Sequence, residues 1–345
     1  MTGQRGGAAG RGPRPSADGR GSDWSVTLVT QRPGFPELPW LRFLLGDLLG
    51  EVVDDPDRRL VLPHSVIVTD RPDSLRGRTL AAVRRLGTVG LLHVADRRYR
   101  SGLEAYRSFG FVWRTYYHSG LSDWAVRQLP LGPVAVPDIA AAPSAVALRP
   151  PAERLYTWSF AGPLTGARPE MIEAFRVIDG GHEQVTRGLG VSDGDDPGAT
   201  SVLDALGDSV FAPCGSDGVH LESPRIYEAL EAGAIPVVER RRRLDYFHQL
   251  LGDHPLPTVA SWPEGPNLVR GLLADQRVLG ALHRRVVGWW TETKQAYADA
   301  VRDDVERCFA DSLRGVERSS VALDRPAPRW RGQVEMLRHR GLRPH

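Results

Sequence analysis

The chain has 345 residues, 41% hydrophobic and 25% charged, with a formal net charge of +2 at pH 7. That is length for two ordinary soluble domains, and the near-neutral balance gives no bulk electrostatic case for nucleic acid. Only Cys214 and Cys308 occur and no apolar run approaches the ~20 residues of a membrane span, so a disulfide framework and a spanning helix are excluded and a reducing, cytoplasmic location is expected.

Residues 1–22 are rich in Gly, Arg, Pro and Ser, with little to bury, and read as a disordered arm. Residues 23–145 read as a first domain. Val26 to Thr30 is a short strand and Leu41 to Leu49 has helical spacing. Ser65 to Thr69 is a strand with Asp70 at its carboxyl end, and Leu75 to Leu86 is a helix stopped by Gly87. Val89 to Val94 is a strand, Gly102 to Phe109 a short helix, Phe111 to Tyr117 a strand, and Val126 to Leu129 a last apolar run before Pro130. Strands alternating with helices predict an α/β domain with a mostly parallel sheet. Ala140 to Pro151, mostly Ala and Pro, reads as the crossing between domains.

Residues 152–315 read as a second α/β domain. It has a strand over Leu155 to Ala161, a helix over Pro169 to Val177, and helices over Leu268 to Leu273 and Val278 to Phe309. Gly180 to Thr200, rich in Gly and Asp, has no assignable pattern, and residues 316–345, rich in Pro and Arg, read as a loose tail. At the centre lies Ser209 to Glu239, read as strand, loop, helix, strand. Ser223 is an N-cap, Pro224 fits the first helical position, and Gly233 is placed to stop the helix. The two strands of such a βαβ unit are parallel, and ligands of parallel sheets sit beyond the carboxyl ends of the strands. The loop Pro213 to Glu222 and the helix N-terminus lie there, which predicts an anion, a phosphate first of all.

These residues resemble exostosin-type glycosyltransferases. The family pattern of Ser-x-Arg, Glu-Ala-Leu, Gly and Ile-Pro-Val matches Ser223-Pro-Arg225, Glu228-Ala-Leu230, Gly233 and Ile235-Pro-Val237. Upstream, Phe160 to Arg168 looks like the family's Phe-x-Gly segment followed by Arg. FVWRTYYH resembles its Arg-Asn-Tyr strand, with Thr115 in the Asn position, and Leu91 to Asp96 looks like its His-x-x-Asp-Glu segment, with Arg97 in place of Glu. The surroundings of Trp262 and Trp289 look most like the ribitol xylosyltransferase branch. The resemblance implies a fold of GT-B type, two Rossmann-like domains facing a central cleft, with the donor nucleotide on the second and the acceptor on the first. It implies an inverting transfer from a nucleotide sugar, a UDP-sugar such as UDP-xylose, to a hydroxyl acceptor such as a glycan or phosphorylated polyol, without a cofactor. In that reading Arg168 and Arg225 neutralise the diphosphate, Ser223 binds phosphate or ribose, Glu228 holds the ribose hydroxyls, and Gly215 is part of the donor-binding set.

An inverting transfer also needs a base near the acceptor hydroxyl. The first-domain candidates are Asp96 and His93, at the carboxyl end of a strand, followed by His118 and Asp123. Within the run Arg240 to Arg243, Arg241 and Arg242 are candidates for an anionic group. The Asp-x-Asp at Asp193 and Asp195 follows a poor strand and reads as a solvated loop, so no metal site is expected. Cys214 reads as a small buried residue, and Tyr227, Trp289 and Trp290 as core. Two alternatives stay open: a fucosyltransferase-like enzyme using a GDP-sugar, and a non-catalytic sugar-nucleotide or glycan-binding protein on the same fold.

Overall fold

A computed structural model describes residues 25–32, 35–118, 121, 126–186, 201–241 and 245–313. Two parallel sheets organise them. The first contains β1 (Val26–Thr30), β2 (Leu49–Asp54), β3 (Ser65–Thr69), β4 (Val89–His93), β5 (Phe111–Arg114) and β6 (Val126–Gln128), in the order β2-β1-β3-β4-β5-β6. The second contains β7 (Tyr156–Gly162), β8 (Gly181–Val185), β9 (Ser209–Cys214), β10 (Ile235–Glu239) and β11 (Thr258–Val259), in the order β11-β10-β9-β7-β8. Every neighbouring pair is parallel. In each sheet the second strand lies on one side of the first and the third on the other. That order is doubly wound, with a topological switch point between β1 and β3 and another between β7 and β9. The fold class is the expected one, two Rossmann-like α/β domains in a GT-B arrangement.

The strand sequences explain the layering. Leu28, Val66, Val68, Leu92 and Trp113 face one core, while their neighbours Val29, Ile67, Leu91 and Val112 face another on the opposite side of the sheet. Both faces are covered, so the strands read as continuous apolar runs. Helices α1 (Leu38–Leu45) and α2 (Gly77–Leu86) belong to the first domain. The second carries α4 (Arg168–Phe175), α5 (Val202–Gly207), α6 (Pro224–Ala232), α7 (Tyr246–Leu251) and α8 (Gly265–Leu273), with the short α3 (Ala145–Leu148) in the crossing. The final helix, α9 (Gln276–Leu313), runs back from the second domain to the first. There the Asp304 carboxylate accepts from Trp113 and Arg127, and Arg302 donates to the carbonyls of Phe43 and Leu44.

Several expected elements change at their ends. The helix expected over Leu41 to Leu49 stops at Leu45 because Gly46 takes φ 55, and Leu49 opens β2 instead. The strand from Phe111 ends at Arg114, and Tyr116 beyond it adopts a left-handed φ of 61. Gly102 to Phe109 forms only a 3-10 turn over Glu104–Ser108. The Ala/Pro-rich crossing contains α3, whose N-cap Ser144 accepts from the Ala147 amide. The central unit matches its expectation: Ser223 caps α6 and Gly233, at φ 74, ends it.

Gly166, in the turn after β7, is required by its surroundings. It has φ +62, and a Cβ there would lie 2.1 Å from the Gly218 amide nitrogen and 2.6 Å from the Ser216 carbonyl oxygen. Gly166→Ala is expected to push the Ser216–Gly218 loop away and to cost about 1–3 kcal/mol, since it combines a left-handed backbone with a backbone clash. Urea unfolding of the variant checks this.

Candidate functional site

The carboxyl ends of the two sheets meet. Arg97, after β4, pairs with Asp217, after β9, at 2.5 Å. Nearby, the Tyr99 hydroxyl lies 2.7 Å from His220 Nε2, and the Tyr246 hydroxyl accepts from the Tyr117 amide. These contacts border the cleft in which ligands of doubly wound sheets are held.

On the second-domain side, the β7/β9 switch point is flanked by the N-termini of α4 and α6. Between them is a narrow, mostly apolar slot lined by Phe160, Ala212 and Cys214, with Arg168, Ser223 and Arg225 at its polar edge. Arg168 is 8% exposed, and among the described residues its guanidinium donates to the carbonyls of Gly215 (3.2 Å) and Pro163 (3.2 Å). Among the described residues no carboxylate pairs with it. Burial lowers its pKa, Asp217 and Cys214 act against that, and the charge of Arg225 adds to it. Arg225 pairs with Glu228 and donates to the Ala161 carbonyl. Glu228 is 1% exposed, and its other oxygen accepts from the amides of Val134 (3.4 Å) and Ala135 (3.0 Å), so it ties the first-domain segment after β6 to α6. Ser223 accepts from the Arg225 amide, and the Gly215 amide lies 2.9 Å from Met171 Sδ.

Arg241 joins this region. Its guanidinium donates to Glu239 and to the Ser216 hydroxyl (both 3.0 Å), while its buried Nη1 has no hydrogen-bond partner among the described residues. Arg242, Asp123, Asp193 and Asp195 lie outside the described residues. Cys214 is buried and its thiol is pushed up to about 12 by burial, the state of an inert core residue. Tyr227 and Trp290 are core, and Trp289 packs against it. Among the described residues no group of three or more His, Cys, Asp or Glu side chains could hold a metal ion.

The first-domain candidates form a buried polar cluster. His93 is fully enclosed. Arg114 donates to its Nδ1 at 2.8 Å, and its Nε2 lies 3.9 Å from Asp96. Burial, and then the Arg114 charge, hold its pKa well below the usual value. Asp96 is fixed by Arg114 (3.1 Å) and the Arg100 amide (2.8 Å). Burial opposes the charge on Arg114, but Tyr106 and Asp96 beside it more than offset this and raise its pKa. His118 is buried and makes an edge contact with Tyr99. The structure thus brings Asp96, His93 and Arg114 together, apart from the Arg168–Arg225 pair.

Three residues were not singled out from the sequence. Glu37, at the end of the segment leaving β1, is 8% exposed and pairs with Arg32 at 3.2 Å, and burial raises its pKa. Tyr116 edges onto His220. Glu222 accepts from the Leu131 amide (2.7 Å) and from the hydroxyls of Tyr227 and Tyr246. A lone carboxylate carries no local signal, and these three are defined by neighbours distant in sequence.

No protein-family model matches the chain, and no curated protein matches it significantly. Solved structures with a similar fold include an α1,3-fucosyltransferase (9% identity, 81% of this chain and 90% of that one, TM-score 0.45). Another is Anabaena HepE in complex with UDP and glucose (9% identity, 85% and 100%, TM-score 0.48). A third is T4 phage BGT in complex with UDP and Mn2+ (10% identity, 82% and 99%, TM-score 0.44). All lie below a TM-score of 0.5, and the functional reading rests on the site itself. Among the described residues no helix is long and apolar enough to cross a membrane.

Proposed function

We propose that the chain is a glycosyltransferase that moves a sugar from a nucleotide diphosphate donor, bound on the second domain, to a hydroxyl acceptor held by the first. The observation that carries this is Arg168, a buried guanidinium without a carboxylate, at the β7/β9 switch point with Arg225 and the N-terminus of α6. Burying an unpaired cation is costly, and a diphosphate is the partner that its geometry and position suit. As the glycosidic bond breaks, the leaving diphosphate gains negative charge. Two fixed guanidiniums and oriented helix amides stabilise that charge without reorganising, so in this reading no metal is required. The motif resemblance to exostosin-type enzymes favours a UDP-sugar, such as UDP-xylose, over a GDP-sugar. Ser223 and Gly215 contact the phosphates, Arg241 supports the same loop through Ser216, and Glu228 orients Arg225. A ribose contact by Glu228 would require its bonds to the amides of Val134 and Ala135 to be exchanged.

The acceptor proton goes to a first-domain carboxylate. Asp96 lies at the carboxyl end of β4 and lines the cavity there. His93 positions it through Arg114. Glu37 is a second candidate because burial raises its pKa, the direction that favours a general base near neutral pH. Asp96→Asn or Glu37→Gln, whichever is the base, is expected to lower kcat by about 10²–10⁴ with UDP affinity unchanged. Single-turnover transfer and UDP titration separate the two effects.

Thermal unfolding with UDP, GDP and their sugar conjugates tests the donor reading. A ligand at 100 times its Kd stabilises by about 2.7 kcal/mol, a rise of several degrees. UDP alone should give it. GDP alone would move the reading to a fucosyltransferase-like donor, and binding without turnover would make the chain a sugar-nucleotide-binding protein.

A further inference from the structure

The carboxyl ends of β3 and β4 open on a cavity of about 690 Å³, separate from the Arg168–Arg225 site. Its arginines are Arg71, Arg76, Arg97, Arg98 and Arg100, and its aspartates are Asp70, Asp73 and Asp96. Most of the negative charge is already engaged. Asp70 pairs with Arg58 at 3.4 Å and Asp96 with Arg114 at 3.1 Å, while Arg97 turns to Asp217. Among the described residues Arg71, Arg76, Arg98 and Arg100 have no ion-pair partner, which leaves four guanidiniums facing Asp73.

The local backbone adds to this excess. Arg76 is the N-cap of α2 and makes no side-chain cap, and the first turn holds no acidic residue. Arg78 adds another positive charge to that turn. Cations at a helix N-terminus oppose the helix dipole, an arrangement that an anion in the cavity would relieve. The loop from β4 reaches the same cavity through two non-glycine residues in the left-handed region, Ala95 (φ 62) and Tyr99 (φ 52), on either side of Asp96, Arg97 and Arg98. Such conformations cluster where a loop is shaped for a ligand.

We propose that this cavity captures a phosphate group of a soluble phosphorylated substrate, and that this molecule is the acceptor. The anion capture stands on the cavity alone, and only its role as acceptor rests on the donor reading. The volume is that of a small-molecule site rather than of a bare ion. Guanidinium forks match phosphate oxygens in pairs, which suits a phosphate ester over a neutral sugar. Arg97 reaches from the cavity wall to the Asp217 loop of the second domain, so a molecule anchored here by its phosphate extends its hydroxyls toward the donor.

The test is calorimetric titration of the full chain with glycerol 3-phosphate at low ionic strength, with glycerol as the neutral control. Three proteins are compared: wild type, the double variant R76E/R98E, and Arg168→Met. Both cavity arginines are exposed, so folding should survive, and circular dichroism verifies it. Binding to wild type is expected, weakened at least tenfold in R76E/R98E and retained in Arg168→Met, while R76E/R98E binds UDP as wild type does. No binding to wild type, equal binding to R76E/R98E, or loss in Arg168→Met alone overturns the proposal. Sedimentation of wild type, but not R76E/R98E, with phosphatidic acid vesicles in the absence of glycerol 3-phosphate binding would also overturn it, in favour of a lipid headgroup. Failure of the donor reading is separate: it appears as absent UDP binding in every protein, whatever glycerol 3-phosphate does.

Discussion

Arg168→Met is expected to slow transfer by about 10²–10³-fold while leaving the protein as stable as wild type or more so. In the proposed reaction this guanidinium faces the diphosphate as charge develops, and loss of one such donor costs about 10²–10³ in kcat, or roughly 3–4 kcal/mol. The stability effect has the opposite sign because Arg168 is buried without a carboxylate, and burial already disfavours its charge. Methionine keeps the stem volume and removes the desolvation cost, at the loss of two bonds to the carbonyls of Gly215 and Pro163. Arg225→Met provides the contrast. It should also slow transfer, but it strands the Glu228 carboxylate, 1% exposed, without its cation. Breaking one side of a buried pair costs about 3–5 kcal/mol, less here because the Arg225 side chain keeps 28% of its exposure. Denaturation midpoints and UDP-sugar turnover, measured on both variants, decide the matter. A large loss of stability in Arg168→Met would mark that residue as structural and sink its donor role.

Glu222 is expected to make stability fall as pH rises from about 4.5 to about 7. Burial raises its pKa to about 7, against the opposing effect of the Tyr227, Tyr246 and Leu131 donors. The folded chain therefore holds this proton more tightly than the unfolded chain does. Between the unfolded value near 4.5 and the folded value near 7, the unfolded state binds fewer protons, so raising the pH favours unfolding. At about 1.4 kcal/mol per pH unit the full change is roughly 3 kcal/mol, a sizeable part of a typical folding free energy of about 5–15 kcal/mol. Glu222→Gln cannot ionise and should flatten this part of the profile. Urea midpoints at pH 5 and pH 8 test it, and parallel slopes for wild type and Glu222→Gln would remove Glu222 as the cause. The effect acts at the domain junction, because Glu222 links Leu131 of the first domain to Tyr227 and Tyr246 of the second.

The removable charge at Arg168 and the titrating carboxyl at Glu222 differ in how they were legible. Arg168 and Arg225 stand in motif context at the start of helices, so their type and spacing alone suggest an anion site. Glu222 looks like any loop carboxylate until Tyr246, Tyr227 and Leu131 enclose it. The Asp96–His93 pair falls between these cases. Its place after β4 is readable from the apolar run that ends there, but its burial under Arg114 and Tyr106 depends on β5 and on the 3-10 turn over Glu104–Ser108.

By itself the sequence determined the parallel strands, through apolar runs long enough to be buried on both faces, and the β9–α6–β10 unit, through Ser223, Pro224 and Gly233. Those signals are local: a cap, a fixed φ, a left-handed stop, an unbroken apolar run. The edge strands β2 and β8 escaped because LGEVVD and GHEQV carry polar residues on a half-exposed edge. The turn at Tyr116 escaped because a left-handed aromatic residue has no sequence signature. Only the tertiary structure decided that α9 returns to the first domain, that Glu228 is occupied by the amides of Val134 and Ala135, and that five arginines after β3 and β4 share one cavity. Each of these depends on groups far apart in the chain coming together, and burial and electrostatic balance exist only once they have.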